Sequence, residues 1–272
     1  MRATQKKTPL LKISALRKRF GLPKLFIKDE SRQLYGTWKD RKSRLVVSEA
    51  QRKGIKKLVI LTAGNAGYSL AKFADKAHIQ VVAVLDSRLP RPEFLKLQHA
   101  CSLLVRCELS RHVFSTKELL AMARDTPNER ILDATNGFER AYHSLVAELK
   151  STKPDYIVCP VGSGEAFVGI ADGIRKYGLR TILIGIAPAD YPSRASRLST
   201  VWTPYIARIE KLTQSRHRLF RATEHEIKKS YAIAKKHLHC EPSSAIVFSV
   251  FSYITFPKKA KIILINSGTG MP

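Results

Sequence analysis

Acidic residues are scarce in this chain: 22 Asp and Glu stand against 48 Lys and Arg, a formal net charge of +26 over 272 residues. Long hydrophobic runs are missing as well. Leu58-Val59-Ile60-Leu61 and Val81-Val82-Ala83-Val84-Leu85 fall far short of the roughly 18 apolar residues that a membrane-spanning helix needs, so they read as buried strands and no membrane partner is expected. The basic start, MRATQKK, has no apolar segment after it and reads without a secretory signal. Cysteine is sparse too. Cys101, Cys107, Cys159 and Cys240 lack metal-ligand spacing, so no metal is expected, and reduced thiols in a cytoplasmic protein fit them best.

The excess of positive charge invites a nucleic-acid reading. The basic residues are nonetheless dispersed, in LRKRF, DRKSR, QRKGIKK and SRHRLFR. No zinc finger, stacking motif or basic zipper accompanies them. Nucleic acid is therefore the less favoured partner, and a solvated basic surface that also attracts anionic substrates is the simpler reading.

Strand-like and helix-like runs alternate almost from end to end. Leu25-Phe26-Ile27, Leu58 to Leu61, Val81 to Leu85, Leu103-Leu104-Val105, Tyr156 to Cys159, Ile182 to Ile186 and Ile262 to Ile265 are short and apolar. Helical spacing covers Lys39 to Lys53, the residues through Ala74, Glu93 to Ala100, Thr116 to Arg124, Glu224 to His237 and Ala245 to Tyr253. Continuous apolar strands between amphipathic helices predict an α/β protein with mainly parallel sheets covered on both faces. Ligands in such sheets gather at the carboxyl ends of strands. The stretch Ala187 to Thr213 is the least regular and reads as a surface excursion or part of a substrate entrance.

Four segments at predicted strand ends carry chemistry. Gly36-Thr37-Trp38-Lys39-Asp40-Arg41 sets a lysine at a helix start, where desolvation and nearby cations can lower its pKa and make it a nucleophile. Thr62-Ala63-Gly64-Asn65-Ala66-Gly67 allows close backbone approach and offers helix N-terminal N–H donors to a carboxylate. Pro160-Val161-Gly162-Ser163-Gly164-Glu165-Ala166 has the form of an anion nest at a helix start, without the Walker lysine. Ile265-Asn266-Ser267-Gly268-Thr269-Gly270 ends the last strand with a hydroxyl that can meet a neutral pyridine nitrogen.

Together these segments resemble the pyridoxal-phosphate enzymes of the tryptophan-synthase-β fold type, most closely threonine synthases and serine/threonine dehydratases. The resemblance runs from Thr8-Pro9-Leu10-Leu11 through Lys28-Asp29-Glu30 and Lys39 to Glu241-Pro242-Ser243-Ser244-Ala245 and the last glycines. It implies two three-layer αβα domains, with residues 1–43 plus 146–272 as the large domain and 44–145 as a small mobile one. The cofactor lies in the cleft between them. It implies Lys39 as the Schiff-base lysine of pyridoxal 5'-phosphate. Asn65 goes to the phenolic oxygen, Gly162, Ser163, Gly164, Glu165 and Ala166 to the phosphate, and Ser267 to the ring nitrogen. Substrate would meet Thr62, Ala63, Gly64 and Ala66, with Lys28 and Arg140 as candidates for a substrate phosphate.

Three positions depart from the family pattern. Ala63 stands where a serine or threonine is usual, Ala66 where threonine or histidine is common, and Glu165 puts a carboxylate into a phosphate loop, which requires it to turn away or meet a cation. The implied activity is β/γ-elimination or replacement on an amino acid such as O-phosphohomoserine, by a homodimer. A serine/threonine dehydratase or cysteine-synthase-like enzyme is the alternative. A non-catalytic cofactor-fold or nucleic-acid-binding protein is the alternative of another class.

Overall fold

The computed structural model describes residues 7–109, 112–198 and 203–271. Its elements follow the alternation of the sequence. Strands β1 (Leu10–Leu11) and β2 (Leu25–Asp29) flank helix α1 (Ser14–Phe20), and helix α2 (Lys39–Arg52) follows. Then come β3 (Lys57–Thr62), α3 (Asn65–Asp75), β4 (Gln80–Asp86), α4 (Arg91–Ala100), β5 (Leu103–Cys107), α5 (Thr116–Ala123), β6 (Ile131–Asp133) and α6 (His143–Leu149). The remainder is β7 (Tyr156–Pro160), α7 (Glu165–Lys176), β8 (Ile182–Pro188), α8 (Ile206–Ser215), β9 (Arg218–Ala222), α9 (Glu224–Ala234), α10 (Pro242–Ala245) and β10 (Ile262–Asn266).

The strands form two sheets. One has the order β1-β2-β10-β7-β8-β9 and the other β5-β4-β3-β6. Every pairing is parallel except the short β1 against β2. Side chains alternate across each sheet, and the packing follows that period. Val158, Ile184, Ile262 and Leu264 enter the core under α9, while Ile157, Leu183, Ile263 and Ile265 enter the opposite core with α6 and α7. In the second sheet Leu58, Ile60, Val81 and Ala83 face one core and Val59, Val82 and Val84 the other. Burial on both faces explains why these strands read as unbroken apolar runs.

The structure adds β1, α1, β6, α6 and β9, which the sequence reading did not give, and modifies it in two further places. The irregular stretch ends early, because α8 begins at Ile206 inside it and presents Ile209 to the core. The predicted helix over 245–253 is an α-turn followed by a 3-10 segment, Ile246–Ser252. Its β-branched and aromatic side chains disfavour regular α geometry, and the tighter spiral still buries Ile246, Val247, Phe248 and Val250. Parallel strands place the turns after β2, β7 and β10 at one edge of the large sheet, and the turn after β3 at the corresponding edge of the small sheet. The four chemical segments follow these strands.

Candidate functional site

Lys39 is the first residue of α2. Gly36, at φ 76°, supplies the tight turn before it, a left-handed conformation that glycine adopts without steric cost. The turn is tied down on three sides. Tyr35 N donates to Asp40 Oδ2 at 2.7 Å, Ser69 Oγ donates to Asp40 Oδ1 at 2.7 Å, and Trp38 N donates to Ser267 O at 2.9 Å. The last bond joins the lysine segment to the end of β10. Burial pushes the Lys39 ammonium down to about 8; Lys42 adds to the push, while Glu165 and Glu241 oppose it. These neighbours come from α2, the start of α7 and the start of α10. Distant parts of the chain therefore set the charge of one amine.

The turn after β3 is organised by Thr62, whose Oγ1 accepts from Gly64 N and Gly67 N, each at 3.0 Å. Asn65 opens α3 and is buried. Its Nδ2 donates to Glu241 Oε1 at 2.8 Å, and its Oδ1 is buried without a partner. Ala63 offers its carbonyl to Arg197 Nη1. Ala66 packs beside the core of the small sheet. Among the described residues, the N–H groups of Asn65 and Ala66 donate no hydrogen bond.

The glycine loop after β7 has Gly164 at φ 85° as the cap of α7. Among the described residues, the N–H groups of Gly162, Ser163, Gly164, Glu165 and Ala166 donate no hydrogen bond. Consecutive N–H groups without a partner among the described residues, at the positive end of a helix, are the donors that an anion nest requires. Glu165 itself is buried, and its carboxylate is fully engaged. Lys42 Nζ donates to Oε2 at 2.6 Å and Phe138 N to Oε1 at 3.1 Å. The negative charge that the sequence put in this loop thus meets a buried cation. Lys42, three residues beyond Lys39, lies on the same helical side by spacing, a signal that sequence reasoning left unused.

Ser267 follows β10 and is buried. Its N–H donates to Ser244 Oγ at 2.7 Å, and Ser244 Oγ donates to Asn266 Oδ1 at 2.5 Å. Glu241 N donates to Gly268 O at 3.1 Å, so the start of α10 and the last glycine turn are joined at two places. Glu241 is held up near pH 7 chiefly by burial, with Glu93 adding to the rise and Arg197, Asn65 and Lys39 opposing it. Glu241, Arg197 and Glu93 were absent from the candidate site residues. They line, with Arg194 and Thr269, a cleft of about 310 Å³.

Two candidates stand apart from this cluster. Lys28 is buried in an ion network: its Nζ meets Glu148 Oε2 and Thr8 O, while Arg41 bridges Glu148 and Glu30 at 2.8 and 2.7 Å. Its charge is thereby committed to internal carboxylates. Arg140 is exposed and pairs with Glu49. Among the described residues, no group of three or more His, Cys, Asp or Glu converges as a metal site, and no helix is long and apolar enough to cross a membrane.

A family model described as "Pyridoxal-phosphate dependent enzyme" matches residues 1–268. A threonine synthase of Methanosarcina acetivorans is 28% identical over 179 residues, 62% of this chain and 43% of that protein. A serine dehydratase-like protein of Homo sapiens is 31% identical over 183 residues, 65% of this chain and 54% of the relative. The matches thus span about half the length of these curated relatives. In three dimensions, the O-acetylserine dependent cystathionine beta-synthase of Helicobacter pylori superposes with a TM-score of 0.81 at 20% identity, covering 98% of this chain and 96% of that one.

Proposed function

The chain belongs to the pyridoxal-phosphate dependent enzymes, and from that premise we propose that it catalyses elimination or replacement at the β or γ carbon of an amino acid. We take the threonine-synthase type, with O-phosphohomoserine as substrate, as the leading case. The single observation behind the assignment is Lys39: an amine lowered to about 8, in a segment hydrogen-bonded to Ser267 and coupled to the glycine loop through Glu165.

The residues fit the cofactor. The N–H groups of Gly162 to Ala166 would hold its phosphate. Asn65, with one amide N–H given to Glu241, retains a second for the phenolic oxygen. The Ser267 hydroxyl would face the ring nitrogen and leave it neutral. Lys42 removes the objection raised by Glu165. Bound there, pyridoxal phosphate supplies an electron sink for charge developing at the substrate's α-carbon. Lys39 would anchor the aldehyde and, once displaced by the substrate amine, carry the proton to and from that carbon. The buried Asp40, locked by Tyr35 and Ser69, fixes the turn from which Lys39 projects.

The basic surface suits an anionic substrate. Lys28 and Arg140 are left out of the substrate site, since their charges are engaged with Glu148 and Glu49. The similarity to serine dehydratase-like proteins supports a second reading, elimination of water from serine or threonine. We also propose the domain division 1–43 plus 146–272 against 44–145, on the ground that the two sheets are drawn from these segments.

The test is direct. Purified protein given pyridoxal phosphate should turn yellow, and borohydride should fix the label on Lys39. Of a panel of amino acids, O-phosphohomoserine should release inorganic phosphate and threonine. A 2-oxo acid with ammonia, from serine or threonine, would transfer the assignment to a dehydratase. A protein that stays colourless would sink the enzyme reading.

A further inference from the structure

Lys42 and Glu165 form an ion pair that the reaction as described leaves without a task. Their side chains are only 6% and 2% exposed, and Lys42 Nζ lies 2.6 Å from Glu165 Oε2. Taking both charges out of water offsets much of their attraction, and replacing such a pair with apolar side chains is often neutral for stability. The place of the pair in the site says more than its strength.

Three segments hold this cation still. Glu165 opens α7, and its second oxygen, Oε1, accepts from Phe138 N at 3.1 Å. Lys42 Nζ also donates to Thr135 O at 2.7 Å and stands 6.0 Å from the centre of the Phe138 ring. Thr135 is fixed in turn. Its Oγ1 accepts from Leu61 N at 3.0 Å, and its N–H donates to Asp133 Oδ1 at 2.8 Å. The end of β3, the turn after β6 and the start of α7 therefore meet around one ammonium. That ammonium belongs to α2, and the three-residue spacing sets it on the same side of the helix as Lys39.

A cation fixed there bears on Lys39. A like charge nearby disfavours a second ammonium, and salt screens buried groups less than exposed ones. Burial is the largest cause of the fall of Lys39 to about 8; of the charged groups, Lys42 deepens it, while Glu165 from α7 and Glu241 from α10 oppose it. The hydroxyls of Tyr142 and Tyr205 are pushed up by burial and by the Glu165 charge, so they stay neutral. With one oxygen on Lys42 and the other on Phe138 N, the Glu165 carboxylate is kept from pairing with Lys39, which would return Lys39 to an ammonium. We propose that Lys42 is the positioning residue that keeps Lys39 uncharged, and that the Glu165 side chain is there as its counter-ion. This rests on the function proposed above, because the uncharged amine is the form that attacks the aldehyde and accepts the proton of the α-carbon.

The test follows capture of two aldehydes by the empty protein across a pH series: pyridoxal 5'-phosphate, and pyridoxal, which lacks the phosphate. Borohydride fixes the captured aldehyde, and peptide mass spectrometry locates it on Lys39. The wild-type rate should level off near pH 8. Lys42→Met removes the cation and frees Glu165 towards Lys39. Its plateau should move up by at least about one pH unit, and its capture of both aldehydes at about pH 7 should slow at least roughly 10-fold. Lys42→Arg keeps a cation and should leave the plateau near that of the wild type. Glu165→Gln removes a charge that raises Lys39 and should move the plateau down; it decides the matter should thermal melting show that Lys42→Met does not fold. Variants that change the rate or the melting temperature while the plateau stays at the wild-type pH overturn the inference and leave the pair a structural tie. So does an equal upward shift in Lys42→Arg and Lys42→Met. A wild-type protein that captures neither aldehyde on Lys39 is a different failure, since it removes the proposed function and the inference with it.

Discussion

Lys39 holds its charge against its surroundings, and this has a consequence for pH. Only the neutral amine attacks an aldehyde. An ordinary lysine, near 10.4, is almost wholly protonated at neutral pH, whereas burial brings Lys39 down to about 8. The neutral fraction rises with pH and saturates once pH passes the pKa. Capture of pyridoxal phosphate by the empty protein, timed by stopped-flow absorbance, should therefore accelerate up to about pH 8 and level off above it. Acceleration continuing beyond pH 10 would show an unperturbed amine. Lys39, Asn65 and the Gly162 loop were legible in the sequence because each is a local pattern, a turn followed by a helix start. Arg197 and Glu93 were not, because their importance arises from a meeting of segments 104 residues apart in the chain. Glu165 was legible only as a problem; its solution, Lys42, lies 123 residues away.

At the scale of elements, helices α2 and α7 work as a pair. Lys39 and Lys42 lie in the first turns of α2, while Val46, Val47 and Ala50 further along it enter the core of the small sheet. The start of α7 carries Glu165, the partner of Lys42. This arrangement makes the glycine loop intolerant of side chains. Gly164 sits at φ 85°, and a Cβ there would come within 2.4 Å of Ile209 Cδ1 and 3.4 Å of Tyr205 Cβ. Gly164→Asp adds strain of about 1–3 kcal/mol and sets a carboxylate at the donors proposed for phosphate. Cofactor retention after dialysis, read by absorbance, should fall at least roughly 10-fold, with a smaller loss in thermal stability. Full retention would move the phosphate site away from α7. Most strands and helices could be read from apolar period and length. β1, α1, β6, α6 and β9 were not read; β1 and β6 are two and three residues long, too short for a period, and α8 opens within a stretch rich in prolines and mixed polarity. The 3-10 geometry after α10 is a packing outcome that no helical periodicity encodes.

For the whole molecule the open question is its charge. Parallel sheets covered on both faces followed from the apolar strands, but the net charge of +26 follows from no requirement of the fold. Some of the cations are engaged internally: Lys28 and Arg41 with Glu30 and Glu148, Lys42 with Glu165, Lys57 with Asp125 and Glu129, Arg208 with Glu139 and Asp172. Along the sequence the basic residues are dispersed rather than gathered in one run. Dispersed charge attracts a polyanion without selecting it, and such binding weakens steeply as salt displaces condensed counterions. Like charge also opposes self-association, an effect that screening reduces. The homodimer proposed for this family member should therefore be favoured by the same salt that releases nucleic acid. Light scattering during gel filtration with duplex DNA provides one measurement of both. At roughly 150 mM salt, where the screening length is about 8 Å, the protein should elute free of DNA at twice its 30.6 kDa chain mass. At roughly 20 mM salt a share should co-elute with DNA of any sequence. Tight, sequence-selective co-elution at the higher salt would make nucleic acid a functional partner, and a monomer there would remove the dimer.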